Sequence, residues 1–471
     1  MKSVIKNRKE LSAGKDYSTK LILDCFEHML GKVMPESMMQ ANLSMKGSTL
    51  RIGNRNLRLE LDKYERICVY GTGKAGPQMS MILEGIIGAK RISEGYVTVP
   101  KGSADAVKVE RIELIEAGHP VPDKNSVKGG VIMQQMLKKL GPRDLAIGLI
   151  SGGGSAQLEV PAPGISLEQI IKTTQMLLAV GANINEINCV RKHLSQIKGG
   201  GLVPEENNTT MITLAISDVV GSDLGSLASG PTYPDWTTYA GAYGVLKGYN
   251  ILYTVPEAVF TRLKKGMSGN PYFEETPKPG DYRFEKVKNV LIGDNRLGCE
   301  SGIEYLKKNY PKMEVHYLGS EVTGDARTVG GELAARFLDI SEGRPNAHLR
   351  GITAPCMLIW GGETTVKITG NGYGGRNQEE AGGALEVLKG NGQITVGFLS
   401  TDGKDGRSEA TGAIASKRVY LNALRKGLDI GTSLANNDSN TFFSKAGGAV
   451  VTGLTGTNTN DWGFAHILRS S

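Results

Sequence analysis

What the chain lacks narrows its class. Its five cysteines, Cys25, Cys68, Cys189, Cys299 and Cys356, are far apart, odd in number and free of C-x-x-C spacing, which argues against a disulfide framework and against a zinc site. Reduced thiols in a cytoplasmic protein are the simpler account. Cys68 and Cys356, each set in an apolar strand pattern, read as small buried hydrophobes. Aromatic residues are only 6% of the chain. No apolar run reaches the roughly 18 residues of a membrane span. The first ten residues carry charge without an apolar core, so secretion is not expected. The net charge of +7 is spread over 471 residues, with no stripe of Lys and Arg interleaved with aromatics. Nucleic acid is therefore a poor fit as partner, and a small anionic substrate a better one.

What the chain has in abundance is glycine, 63 residues of it, at places where backbone must turn or come close to something. At 471 residues the length exceeds what one hydrophobic core supports, so two domains are expected, with a cleft between them. The Pro- and Gly-rich stretch 266–282 reads as the boundary. This gives a larger Rossmann-like α/β domain over 1–280, with a mainly parallel sheet, and a smaller α/β domain over 281–471. A helical pattern from Leu21 to Leu30, followed by a second helical stretch before the first strand, reads as packing on a sheet rather than carrying chemistry.

The apolar strand 66–70 runs into GTGKAG at 71–76, where Gly71, Gly73 and Gly76 satisfy G-x-G-x-x-G. That spacing lets backbone N–H groups at a helix N-terminus approach an anion. Two features count against a dinucleotide. Lys74 stands inside the turn, and the next strand, 95–99, ends in Pro100, Lys101 and Gly102 instead of the acidic residue that would hold a ribose. In the rigid loop GHPVP at 118–122, His119 reads equally as a ligand-facing group or as a loop histidine bonded to backbone. The strand 145–150 delivers Ser151, Gly152, Gly153, Gly154 and Ser155, free donors and two hydroxyls suited to phosphate. The strand 210–216 delivers Asp218, placed to hold a metal or accept a proton. The basic segment 191–198 reads in part as a solvated face.

In the second half, strands are expected at 314–318, 356–360 and 394–399, with a short one at 366–369. Arg376 opens a helix after the loop 371–375, where a cation opposes the helix dipole unless an anion is bound, so a bound phosphate or carboxylate is expected beside it. Asp402 and Asp405 sit on glycine hinges after the strand 394–399 and suit magnesium-phosphate or substrate-hydroxyl contacts, with a hydrophilic turn as the bland reading of Asp405. A calcium loop would need a longer ligand ladder.

Taken together and in order, GTGKA at 71–75, GHPVP at 118–122, LISGGGSA at 149–156, SD at 217–218, SGPT at 229–232, GGET at 361–364, GRNQE at 375–379, STDG at 400–403 and TGLTGTN at 452–458 resemble the class II glycerate kinase (glycerate 2-kinase) family. The C-terminal part of that family is shared with sequences named hydroxypyruvate reductase. The resemblance implies two α/β domains with an active site in the cleft between them, and transfer of a phosphoryl group from ATP to D-glycerate with Mg2+ or another divalent cation. It places the catalytic residues at Lys74, Asp218, Arg376 and Asp402. Lys74 and Arg376 would bind substrate and stabilise charge, and Asp218 and Asp402 would serve as metal ligand or base. No Walker A pattern occurs, which leaves Ser151 to Ser155 as the candidate nucleotide site. A homo-oligomer is left open. The rival readings are an NAD(P)H-dependent hydroxypyruvate reductase and a noncatalytic regulator that binds a nucleotide or sugar acid.

Overall fold

The computed structural model describes residues 3–12, 16–53 and 57–470. The chain divides into two compact units, Pro35–Gly293 and a discontinuous one formed by Met1–Met34 with Asp294–Ser471.

The unit Pro35–Gly293 opens with helix Pro35–Asn42 and a small antiparallel meander, β1 (Leu43–Lys46), β2 (Thr49–Ile52) and β3 (Leu57–Glu60). Its main sheet holds β4 (Arg66–Thr72), β5 (Glu94–Pro100), β6 (Ile112–Ala117), β7 (Asp144–Ser151), β8 (Thr210–Ile216) and β9 (Val287–Gly293). The order is β6-β5-β4-β7-β8-β9, and every pairing is parallel. A parallel sheet is covered on both faces, and β7 accordingly is buried along its whole length. The order reverses between β4 and β7, which are paired in register from Arg66 with Asp144 to Thr72 with Ile150. The two glycine corners therefore emerge side by side at the carboxyl ends of adjacent strands, where open α/β sheets bind ligands.

A second core in this unit is formed by helices Leu167–Ala179, Ile184–His193, Tyr239–Gly248 and Glu257–Met267. The stretch 266–282 is part of this packing and is not a boundary. Glu275 accepts from the Tyr239 amide at 2.8 Å and pairs with His193 at 3.1 Å, and the Asp235 amide donates to Pro277 O at 2.8 Å. The division expected at 280 falls after β9, because that strand completes the parallel sheet beside β8.

The other unit carries a mixed sheet of β10 (Glu314–Tyr317), β11 (Cys356–Gly362), β12 (Ile394–Ser400), β13 (Gly412–Ala415), β14 (Ala449–Val450) and β15 (Asp461–Ile467). Its order is β10-β11-β15-β12-β13-β14, parallel only between β10 and β11. Helix Tyr17–Lys32 belongs here and not with the first domain. It packs on helix Asn295–Asn309, where Gly302 leaves room for Met29. Residues 366–369, expected as a strand, are irregular, and the backbone of this loop is held by Asn436 and Asn437. Among the described residues no helix is long and apolar enough to cross a membrane.

Candidate active site

The first corner joins β4 to helix Gly76–Ile87. Gly71 lies on Leu149 of β7, Gly73 takes φ +126° over Ser151, and Gly76 packs on Val97 and Val99 of β5. These are the packing roles of a dinucleotide fingerprint, but the anion-binding role is filled by the protein itself. The Gly73 amide donates to Thr98 O at 3.2 Å and Gln157 Oε1 at 3.2 Å, the Lys74 amide to Gly152 O at 2.9 Å, and the Ala75 amide to Ser151 Oγ at 3.0 Å. A pyrophosphate here would have to displace the chain at Ser151 and Gly152. The expectation that these N–H groups approach a ligand is corrected: the glycines admit the neighbouring loop.

That loop is the second corner. Gly152 lies against the Asp218 carboxylate, and Gly153, at φ +83°, lies under His119 and Lys74, with the His119 Nε2 and the Lys74 Cγ each 3.2 Å from where its β-carbon would be. Any side chain at either glycine would fill this space. His119 makes no hydrogen bond to backbone among the described residues, and its ring lies over the loop. Desolvation first, and the charge of Lys74 second, hold its pKa below the usual histidine range. Lys74, His119 and Asp218, delivered by the ends of three different strands, thus converge on two glycines.

The far end of this loop is fixed from below. Lys198, buried, donates to Ser155 O at 2.8 Å and Leu158 O at 2.9 Å and pairs with Glu159 at 3.1 Å. Burial lowers the Lys198 pKa, opposed by Glu159. Ser155 Oγ lies 2.7 Å from Ser229 Oγ, which donates to Asn188 Oδ1 at 2.9 Å. Lys198 falls in the segment read from sequence as partly a solvated face. Its burial needs Glu159 as countercharge, which lies 39 positions earlier and is not signalled locally.

In the other unit, helix Arg376–Leu388 begins at Gly375. Its N-terminus already holds an anion. The buried Asp405 carboxylate accepts from the Asn377 amide at 3.0 Å, the Gln378 amide at 2.9 Å and the Gln378 side chain at 2.9 Å. A side chain at Gly375 would collide with it. Burial raises the Asp405 pKa to about 6 despite these donors. Asp405 is therefore a buried cap of this helix and not an exposed turn.

Arg376 likewise finds its anions within the protein. It holds Asp461 through Nε at 2.5 Å and Nη2 at 3.2 Å, and Glu363 through Nη1 at 2.7 Å. Burial opposes its charge, but Asp461 and Glu363 outweigh that and hold its pKa above the ordinary value. The expectation that a bound phosphate or carboxylate explains Arg376 better than structure alone is corrected: two carboxylates of the same unit hold it. Of the five N–H groups of a guanidinium, three are used, which leaves two for a ligand. Arg376 and Asp402 line one cavity of 580 Å³ together with Glu379, Lys404, Arg407 and Asn437. Asp402 Oδ1 accepts from Ser400 Oγ at 2.8 Å and the Lys404 amide at 2.9 Å.

Two family models match the chain, a domain of unknown function (DUF4147) over residues 21–264 and the MOFRL family over 356–461. The glycerate 2-kinase of Pyrococcus horikoshii is 37% identical over 397 residues, 84% of this chain and 86% of the relative. A crystal structure of a glycerate kinase from Thermotoga maritima superposes with a TM-score of 0.79 at 32% identity, covering 95% of this chain and 99% of that one. The chain belongs to the glycerate kinase family. One relative, from Agrobacterium vitis and 36% identical over 84% of this chain and 86% of its own, carries the name hydroxypyruvate reductase. The filled first corner gives that reading no dinucleotide site of the expected kind.

The two matched segments divide the candidate residues of this glycerate kinase family member between them. Residues 21–264 contain Lys74, His119, Asp218 and the loop Ser151 to Ser155, and residues 356–461 contain Arg376, Asp402 and Asp461. Asp461 was missed by sequence reasoning, although it stands only three residues beyond the TGLTGTN loop. Among the described residues, no three His, Cys, Asp or Glu side chains are grouped to hold a metal alone. The donors on hand for a hard cation are single carboxylates such as Asp218 and Asp402. That suits magnesium brought in on phosphate oxygens, which needs only one or two protein carboxylates.

Proposed function

We propose that this chain phosphorylates D-glycerate with ATP and gives 2-phospho-D-glycerate. The C2 hydroxyl oxygen of the acid attacks the γ-phosphorus. The bond from that phosphorus to the β–γ bridging oxygen breaks, and ADP leaves with the electron pair. Asp218 takes the hydroxyl proton, and Lys74 beside it neutralises charge on the transferring group. His119, held neutral by desolvation and Lys74, can accept or donate a hydrogen bond without adding a second cation. Ser151 to Ser155 supply further donors for phosphate oxygens, and in its own unit Arg376 keeps two spare N–H groups for a substrate anion. Asp402 is the carboxylate that would hold magnesium, which when bound would neutralise phosphate charge. The five unpaired buried cysteines support a reducing, cytoplasmic setting.

The observation that carries the reading is the convergence of Lys74, His119 and Asp218 on Gly152 and Gly153, in a chain whose relatives are named glycerate 2-kinases. Phosphoryl transfer needs this kind of placed charge more than a covalent nucleophile. The test is ADP release on mixing the protein with ATP, magnesium and D-glycerate, with omission of each in turn. ADP is expected only from the full mixture. Oxidation of NADH by hydroxypyruvate, with no ADP from the full mixture, would favour the reductase, and tight binding without turnover would favour a regulator.

A further inference from the structure

Arg376 is neutralised by carboxylates, but the half-buried Arg191 is not. Arg191 stands on helix Ile184–His193, and among the described residues its side chain's only hydrogen bond runs from Nε to Thr174 Oγ1 at 3.3 Å. Among the described residues no carboxylate lies within ion-pair distance of it. The other half-buried arginines of this unit are differently placed: Arg262 lies over the rings of Tyr239 and Phe273 and donates to His193 O, while Arg66, Arg91 and Arg283 pair with Asp144, Asp62 and Asp281. Burial lowers the Arg191 pKa, and the more distant Glu159 does not offset it. A desolvated guanidinium without a countercharge is costly unless an anion arrives.

One turn earlier on the same helix stands Asn188, only 3% exposed. Its orientation is set by the hydroxyl chain at the glycine loop. Ser229 Oγ donates to Asn188 Oδ1, so Ser155 Oγ must donate to Ser229 Oγ. The Asn188 oxygen is thereby used, and its Nδ2 has no acceptor among the described residues. Residues at i and i+3 of a helix are neighbours on one face. Asn188 Nδ2 and Arg191 Nη1 and Nη2 therefore form a set of donors with no acceptor, wired through Ser229 to the end of the Ser151–Ser155 loop.

We propose that Arg191, with Asn188 beside it, binds the carboxylate of the hydroxy-acid substrate. This rests on the reading of the chain as a kinase acting on D-glycerate. The planar fork of the guanidinium matches a carboxylate in two parallel hydrogen bonds. The acid is thus gripped by the group that does not react, which leaves its hydroxyls to be placed over the loop. The pair is a specificity element: it rejects neutral polyols, which would leave the buried donors unfilled.

The test compares wild type with Arg191→Gln and Arg191→Lys on D-glycerate and on glycerol, the same carbon chain without the carboxylate. Arg191→Gln should raise the KM for D-glycerate about 100-fold, the scale of a lost charge-assisted pair, while the KM for ATP stays unchanged and the slow rate with glycerol does not fall. Arg191→Lys should recover part of the loss. An unchanged KM for D-glycerate would overturn the proposal, as would an equal loss with glycerol or a raised KM for ATP. Calorimetric titration of D-glycerate into wild type and Arg191→Gln separates this from the kinase reading. Binding by wild type that the variant loses supports the site even if ADP is never formed, and equal binding by both overturns it even if the kinase reading stands. If Arg191→Gln does not fold, the Arg191→Lys comparison decides by the same outcomes.

Discussion

Asp218 and Gly152 are so close that a β-carbon on the glycine would overlap the carboxylate, its most distant atom lying only 2.6 Å away. Gly152→Ala therefore has to move the proposed base or the loop beneath it. It should lower kcat at least about 100-fold, the scale of a misplaced catalytic group, while the protein stays folded. Steady-state kinetics with circular dichroism checks this, and a wild-type rate would remove Asp218 from the mechanism.

Lys74 is expected to act through its charge. Lys74→Ala should cost about two or more orders of magnitude in turnover with little loss of stability. It should also raise the pKa of His119, because the Lys74 charge is one of the two causes that depress it. The value should stay below the ordinary 6.5, since desolvation remains. A titration of the His119 ring by NMR in both proteins measures this, and superimposable curves would separate Lys74 from His119.

The strands and glycine corners of the Pro35–Gly293 unit were legible because parallel strands buried on both faces are continuous apolar runs, each ending at glycine, as Leu145 to Ile150 before Ser151 shows. Lys74, Asp218 and Asp402 could be picked out because strand ends place them. What was not legible depends on partners distant in sequence. Helix Tyr17–Lys32 has a clear apolar face, but nothing in that face says that it meets Gly302 and not the strands that follow it. The central strand β15 was missed because its neighbours are Cys356–Gly362 and Ile394–Ser400, far earlier in the chain, and its Asp461 went with it. Arg376 was rightly read as needing an anion. Its source, Asp461, could not be seen without that strand.

Arg376 holds Asp461, whose side chain is 6% exposed. Arg376→Ala should remove activity and also destabilise by about 3–5 kcal/mol, because a buried carboxylate loses its partner. Asp461→Asn added to it should restore much of the stability and none of the activity. Denaturant unfolding of the single and double variants, with assays of each, tests the separation. Full stability in Arg376→Ala would mean that the pair carries no structural load.

Glu379, in the Arg376 cavity, has its pKa lifted from 4.5 to about 7, chiefly by burial. A carboxyl raised in the folded state adds stability that is complete below pH 4.5 and is lost as pH climbs through 7. Glu379→Gln removes that loss. Its stability relative to wild type should rise between pH 4.5 and 7, by up to about 3 kcal/mol, and level off above. Parallel unfolding curves at each pH measure this, and a constant difference across the range would place the Glu379 pKa near its usual value.

The central claim is transfer of a phosphoryl group to D-glycerate at its C2 hydroxyl. Phosphorus NMR of the protein incubated with ATP, magnesium and D-glycerate measures it most directly. The account predicts that the γ-phosphorus signal of ATP decays as those of ADP and 2-phosphoglycerate grow. A spectrum in which ATP is unchanged, with NADH consumed when hydroxypyruvate is supplied, would contradict it.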